Sequence, residues 1–386
     1  MLEDIRAGLA ALERDGLIRS RLTLEAPQGA RVRLEGREYL AFCSNDYLGL
    51  ANHPALVEAA REGAARFGVG AGASHLITGH HAAHHRLEQE LAEFTGLPRA
   101  LLFSTGYMAN LGVVSALLGR GDTVFADRLN HASLNDAALL SRARFARYPH
   151  GDLDALERQL AASRARRKLV ATDAVFSMDG DMADLPRLME LCERHDAWLL
   201  VDDAHGFGVL GETGRGSLAH FSPLLTRHPS RLVYMATLGK AAGVFGAFVA
   251  GASELVEHLV QRARSYIYTT ATPPLLAHTL SRSLEIIRQE DWRRERVREL
   301  VDRLRAGAAA LRWELMPSRT PIQPLFVGDT REATALSARL RERGMLVPAI
   351  RPPTVPKGTA RLRISLSAAH GPEDVDALLA ALAEIG

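Results

Sequence analysis

The chain has 386 residues, 47% hydrophobic and 24% charged, enough to bury a large core and to form one large unit with a smaller one. A net charge of +2 gives no drive toward nucleic acid or an anionic membrane, and no apolar run approaches the ~18 residues that span a bilayer. Two cysteines, Cys43 and Cys192, supply neither a disulfide framework nor a metal-binding spacing, so the expected compartment is the reducing cytoplasm.

The first ~20 residues carry Ile5, Leu9, Leu12 and Leu17 at near-helical spacing and predict a charged amphipathic helix, not a signal peptide. Alternation through Arg31–Leu34 and Tyr39–Phe42 predicts a hairpin turning at Glu35-Gly36. From about residue 45 to 280, short apolar runs alternate with helical patterns, which argues for a mainly parallel sheet. The expected strands are 100–103, 123–126, 169–173, 198–201, 232–237 and 247–250; helices are expected over 107–118, 153–161 and 185–195. Basic runs at Arg142/Arg144/Arg147 and Arg164/Arg166/Arg167/Lys168 read as solvated faces. A smaller α+β region should follow, with strands over 322–327 and 345–350. In it Leu362, Ile364 and Leu366 alternate with Arg361, Arg363 and Ser365, as in a strand buried on one face.

Three lysines stand among 47 basic residues: Lys168, Lys240 and Lys357. Arginine serves as a surface cation but not as a neutral amine, so a lysine kept in such a chain draws notice. Lys240 sits among small residues between apolar segments, a setting for a desolvated, reactive amine. The run Trp198–Val201 ends in Asp202-Asp203-Ala204-His205, and polar residues at such strand ends face the ligand crevice of an open α/β sheet. An acid there and an isolated lysine 38 residues later fit a pyridoxal phosphate site, the acid pairing with the pyridine nitrogen and the lysine bonding the aldehyde. Strand, small polar turn and helix around Ser104-Thr105-Gly106-Tyr107 offer amide N–H groups to a phosphate. Gly206–Gly211 matches G-x-G-x-x-G but runs into a turn-rich loop, which argues against a dinucleotide site. His80/His84 and His81/His85 have i,i+4 spacing, yet no third ligand is evident and no metal is expected. His131 follows a strand closely enough to stack on a planar cofactor.

From SNDYLGL at Ser44–Leu50 to Ser367–His370, the chain resembles the α-oxoamine synthases, pyridoxal phosphate enzymes of the aspartate-aminotransferase-like fold (fold type I). The motifs FSTGYMAN, DRLNHASLNDA, VFSMDGDMADL, VDDAHGFGVLG and TLGKAAGVFG carry the resemblance. It implies an N-terminal arm over 1–44, a large cofactor-binding domain over 45–280 and a small domain over 281–386. The segments Gly70–His80 and Ile350–Arg363 point to the branch that condenses L-alanine with a pimeloyl thioester, on coenzyme A or an acyl carrier protein, in biotin synthesis. A sister synthase such as glycine C-acetyltransferase, an aminotransferase and a non-catalytic scaffold are the alternatives. By resemblance Lys240 carries the cofactor, Asp202 pairs with its ring nitrogen, His131 stacks on the ring, and His205 and Ser177 contact the ring hydroxyl region. Gly106, Tyr107 and Thr237 hold the phosphate, joined by Thr269 or Thr270 from the other subunit of a cytoplasmic homodimer with shared sites. Arg21, Asn45, Arg351 and Thr354, with His131, fall where the family binds substrate. Asp173 departs from a relative that has Glu there; the shorter acid is expected to alter a supporting contact and leave the reaction intact.

Overall fold

The computed structural model describes residues 1–14, 17–221 and 229–386. Seven of its strands are the expected short apolar runs and one more: β3 (Arg99–Phe103), β4 (Thr123–Asp127), β5 (Arg144–Tyr148), β6 (Lys168–Asp173), β7 (Trp198–Asp202), β8 (Leu232–Thr237) and β9 (Ala247–Gly251). They form one sheet in the order β3-β9-β8-β7-β6-β4-β5, with only β9 antiparallel to its neighbours. Successive side chains go to opposite faces. Leu102, Leu199 and Val201 pack on one face; Leu101, Phe103 and Leu200 pack on the other. Covered on both faces, these strands read as continuous apolar runs. β5 differs from expectation. Its arginines sit on the sheet's edge strand, where charge is tolerated, so the sequence read as a solvated face.

Register sets the site. Asp173 of β6 lies directly beside Asp202 of β7. Across β9, Ala247 pairs with both Phe103 and Thr237, which lines up the C-terminal ends of β3 and β8. The crevice outside these strand ends is the ordinary ligand position of an open α/β sheet.

The N-terminal helix is shorter than expected, Leu2–Arg14, and buries none of its residues within the single chain. Residues 17–24 are not helical. The hairpin β1 (Arg31–Leu34) and β2 (Arg37–Ala41) forms as expected. The run expected as one strand over 345–350 is two short ones, β11 (Met345–Leu346) and β12 (Ala349–Ile350). Pro348 between them has no N–H to extend a ladder. β11 pairs in parallel with β2, whereas β12 joins β13 (Ala360–Ser365), itself antiparallel to β10 (Ile322–Gly328). A separate apolar cluster fills this region, built on Leu325, Leu362, Ile364 and helices Trp292–Ala308, Thr330–Glu342 and Pro372–Ile385. β13 overturns the one-face-buried reading, because all six of its residues are buried. Its arginine face is covered by Asn45, Ser177 and Asp179, which are distant in sequence. Among the described residues no helix is long and apolar enough to cross a membrane.

Candidate active site

Lys240 lies just beyond the C-terminal end of β8. Its Nζ is 2.9 Å from His205 Nε2, and His205 Nδ1 is 2.7 Å from the Tyr47 hydroxyl. Burial lowers the Lys240 amine to about 8 against the pull of Asp202 and Asp173. Burial first, and then the nearby Lys240 charge, hold the His205 imidazole well below its ordinary value, so it is neutral. With only three lysines in the chain, this is directly testable. In cofactor-free protein, reductive methylation of Lys240 should be half-maximal near pH 8 and not near 10.5. Mass spectrometry reads it with Lys168 and Lys357 as internal comparison; a midpoint above 10 would remove the desolvated-amine argument.

Asp202 is 5% exposed. Its Oδ2 accepts from Asn110 Nδ2 at 2.8 Å and its Oδ1 from the Ala204 N–H at 3.0 Å. Asn110 comes from the inner face of helix Gly106–Leu117 and also donates to Ser133 Oγ at 2.9 Å. Asp173 is the second acid of the pair. Burial and the adjacent Asp202 push its carboxyl well above the usual range, while its Oδ2 accepts the His131 backbone N–H at 2.7 Å. The supporting contact of Asp173 is therefore to the backbone that orients His131. His131 N-caps helix Ala132–Ser141; its Nδ1 accepts from the Ser133 N–H and lies 2.7 Å from Ser133 Oγ, leaving the ring itself exposed.

Gly106 begins its helix beside Thr237. A Cβ at Gly106 would meet Thr237 Cγ2 at 2.9 Å, so only glycine fits this approach unstrained. Thr105 caps the helix by accepting from the Met108 N–H at 3.1 Å. Thr237 Oγ1 is buried with no hydrogen-bond partner, which is costly unless a ligand supplies one. Tyr107 is exposed, with its hydroxyl donating to Asp136 Oδ2. The structure thus brings Lys240, Asp202, His205, His131, Gly106 and Thr237 to one edge of the sheet. Thr269 and Thr270 are not among them: Thr270 bridges to Ser74 instead.

Arg363, like Asn110, is a site residue that sequence reasoning missed. It is 5% exposed, and its guanidinium donates to the Ser177 carbonyl at 2.6 Å, to Asn45 Oδ1 at 3.2 Å and to Ser365 Oγ at 2.8 Å. All three acceptors are neutral. Asn45 Oδ1 also faces the Tyr47 hydroxyl at 3.1 Å, linking Arg363 to His205 and Lys240. A cavity of about 700 Å³ opens beside this cluster, lined by His131, Ser177, Thr354, Arg361 and Arg19. Arg21 is exposed nearby in sequence but does not line it; Arg351 donates to the Ile18 carbonyl at 3.4 Å. Gly206–Gly211 folds as a turn-rich loop around the buried Asp203, whose carboxylate accepts from the Ser217 N–H and the Tyr234 hydroxyl, both at 2.7 Å. The segment runs into turns and not into a helix, as its sequence predicted.

These residues suit pyridoxal phosphate. A lysine of lowered proton affinity meets an aldehyde, a buried acid a ring nitrogen, and an unpaired hydroxyl beside a glycine-started helix a phosphate. Residues 37–382 match the family described as aminotransferase class I and II. The 8-amino-7-oxononanoate synthase of Nitrosomonas europaea is 66% identical over 385 residues, covering 100% of this chain and 99% of that protein. That of Nitrosospira multiformis is also 66% identical, over 99% of this chain and 96% of its own. Among solved structures, SPT with PLP superposes with a TM-score of 0.93 at 28% identity, over 100% of this chain and 98% of that one. The fold is fold type I and the cofactor pyridoxal phosphate. The chain belongs to the class I and II aminotransferase family, in its 8-amino-7-oxononanoate synthase branch.

Proposed function

We propose that this chain joins L-alanine to a pimeloyl thioester, giving 8-amino-7-oxononanoate, carbon dioxide and the free thiol carrier in biotin synthesis. The observation that carries this reading is the meeting of Lys240, Asp202 and His131 at the strand ends of a chain 66% identical, end to end, to such a synthase.

Pyridoxal phosphate, when bound, supplies a conjugated sink for the electron pair left at the amino acid Cα. Lys240 would hold it and, released by the incoming amine, move the proton at the alanine Cα. Its lowered proton affinity makes the neutral form available near neutral pH. Asp202, oriented by Asn110 and Ala204, would keep the ring nitrogen protonated. The Gly106 and Tyr107 amides with the Thr237 hydroxyl would hold the phosphate. His131 would cover the ring face, and His205 and Ser177 the ring hydroxyl side. Arg363 would take the carboxylate of alanine. A buried guanidinium that meets only neutral acceptors, with no salt bridge among the described residues, is a charge awaiting an anion. Arg363→Met should therefore raise KM for L-alanine by about 10- to 150-fold and leave KM for the thioester nearly unchanged. A parallel rise in both constants would argue for a merely structural arginine.

The thioester would enter through the cavity between His131, Ser177 and Thr354, with Arg21, Asn45 and Arg351 as further substrate contacts. We also infer a cytoplasmic homodimer in which Thr269 or Thr270 reaches the phosphate held by the other copy. Leu2, Ile5, Leu9 and Leu12 on the N-terminal helix and Val69 and Ile77 near Ser74 are exposed apolar residues that such pairing would cover. The division into arm 1–44, large domain 45–280 and small domain 281–386 is part of the same reading, supported by the separate apolar cluster of the C-terminal region.

The deciding experiment measures thiol release from pimeloyl-coenzyme A by cofactor-loaded protein given L-alanine, glycine or L-serine. Release with L-alanine alone is the expected result. The serine arm tests the one rival with an observation behind it, the close superposition on SPT at 28% identity. Release with serine and not alanine would overturn the proposal.

A further inference from the structure

The histidines from His75 to His85 have no part in the reaction above, and the structure sorts them differently from their spacing. His84 turns inward: its Nδ1 accepts the His81 backbone N–H at 3.0 Å and its Nε2 donates to the Thr272 carbonyl at 2.8 Å. With both ring nitrogens engaged, the His80/His84 pair does not offer two free ligands. His80 has another partner. Its Nδ1 lies 3.0 Å from His75 Nδ1, in a ring stacked 4.8 Å from Tyr266, and its Nε2 faces Glu88 Oε2 at 3.9 Å. A ligand atom from each of His80, His85 and Glu88 lies within 4.8 Å of the other two.

We propose that His80, His85 and Glu88 form a site for a divalent first-row transition ion, Zn²⁺ in the first place, with water completing the coordination.

Two imidazoles and one carboxylate with an open position are a familiar donor set for zinc. His85 and Glu88 are three apart on helix Ala82–Thr95 and so share a face, while His80 approaches from just before the helix. Gln89 Nε2 lies 3.2 Å from His85 Nε2 on the exposed side, a contact that an ion would replace; the other surrounding contacts fit ligand roles. If His80 Nδ1–H donates to His75 Nδ1, the Nε2 lone pair is left pointing toward Glu88. The other Glu88 oxygen accepts the Leu102 backbone N–H at 2.9 Å, which fixes the carboxylate. Among the described residues no lysine or arginine lies in salt-bridge reach of Glu88, so no basic side chain occupies its second oxygen. Its side chain is only 13% exposed, yet with His85 it lines a surface groove of about 610 Å³ through which an ion and its waters can enter. A proton shared by His80 and Glu88 is the competing occupant. It needs no third group, whereas an ion needs His85.

The test uses untagged, cofactor-loaded protein, stripped with a chelator, incubated with Zn²⁺ and passed through a desalting column. Metal content and titration calorimetry should give about one Zn²⁺ per chain. His85→Ala and Glu88→Gln should each weaken binding by at least about tenfold, and His81→Ala should not. His85 is exposed, so its replacement decides the matter even if loss of the Leu102 contact keeps Glu88→Gln from folding. Content far below one ion per chain, or unchanged affinity in His85→Ala, overturns the proposal.

Discussion

Lys240→Ala should abolish condensation, by at least about four orders of magnitude, and leave the fold intact. The amine has two tasks in the proposed reaction, carrying the cofactor and moving the Cα proton, and no other lysine can replace it. Lys168 starts β6, at the end opposite Asp173, and donates to the His195 carbonyl, and Lys357 lies in an exposed loop. Borohydride reduction of the holoenzyme should fix one cofactor on Lys240 in the wild type and none in the variant. Stability gives an independent check with a definite sign. The folded-state amine titrates near 8, below its ordinary 10.5, because burial disfavours the ammonium. Below pH 8 both folded and unfolded chains are protonated there, so the folded state carries the full cost of burying the charge. That cost fades between about 8 and 10.5, as the folded chain loses its proton first. Cofactor-free Lys240→Ala should therefore melt no lower than wild type at pH 7, and any gain should shrink as pH rises through that window. Near-normal turnover in the variant would remove Lys240 from the chemistry altogether.

What the sequence disclosed about this site depended on where each residue sits in a strand. Asp202, His131 and Thr237 follow apolar runs closely, so an open α/β sheet carries them to the crevice edge whatever the details of packing. Lys240 stood out by the rarity of lysine. Arg363 hid for the opposite reason. Alternating with Leu362 and Ile364, it looks like the solvent side of a strand, because alternation reports that one face is apolar and says nothing of what covers the other. Two of its three acceptors lie 186 residues away at Ser177 and 318 away at Asn45. Asn110 was missed similarly: a polar residue inside a helical pattern shows no sign that its amide will reach an acid 92 residues on. The partner of Asp173 is not legible in the sequence, because the strand register that sets it beside Asp202 is a property of the assembled sheet. Pro348 was visible throughout, yet its effect, sending one half of a run to each of two sheets, depends on both sheets being present.

Asp202→Asn should slow exchange of the alanine Cα hydrogen with solvent by roughly 10²–10³-fold while the site keeps its shape. The substitution is nearly isosteric, and its hydrogen bonds can be remade. The new carbonyl can still accept from the Ala204 N–H. The new amide can donate to Asn110 Oδ1, a buried atom that now has no partner, if the Asn110 side chain turns over. What is lost is the negative charge. Without it the ring nitrogen of the bound cofactor has no counter-charge to keep it protonated, and the sink for the Cα electrons weakens. The same loss acts on Lys240 in a direction that can be read separately. Asp202 is the largest influence holding the Lys240 amine up against burial, so its removal should move the methylation midpoint of the cofactor-free protein below about 8. Both shifts are expected together. Slow exchange with an unmoved midpoint would mean that the variant disturbs cofactor seating and not charge; a lowered midpoint with unchanged exchange would show that Asp202 tunes the lysine but does not serve the electron sink.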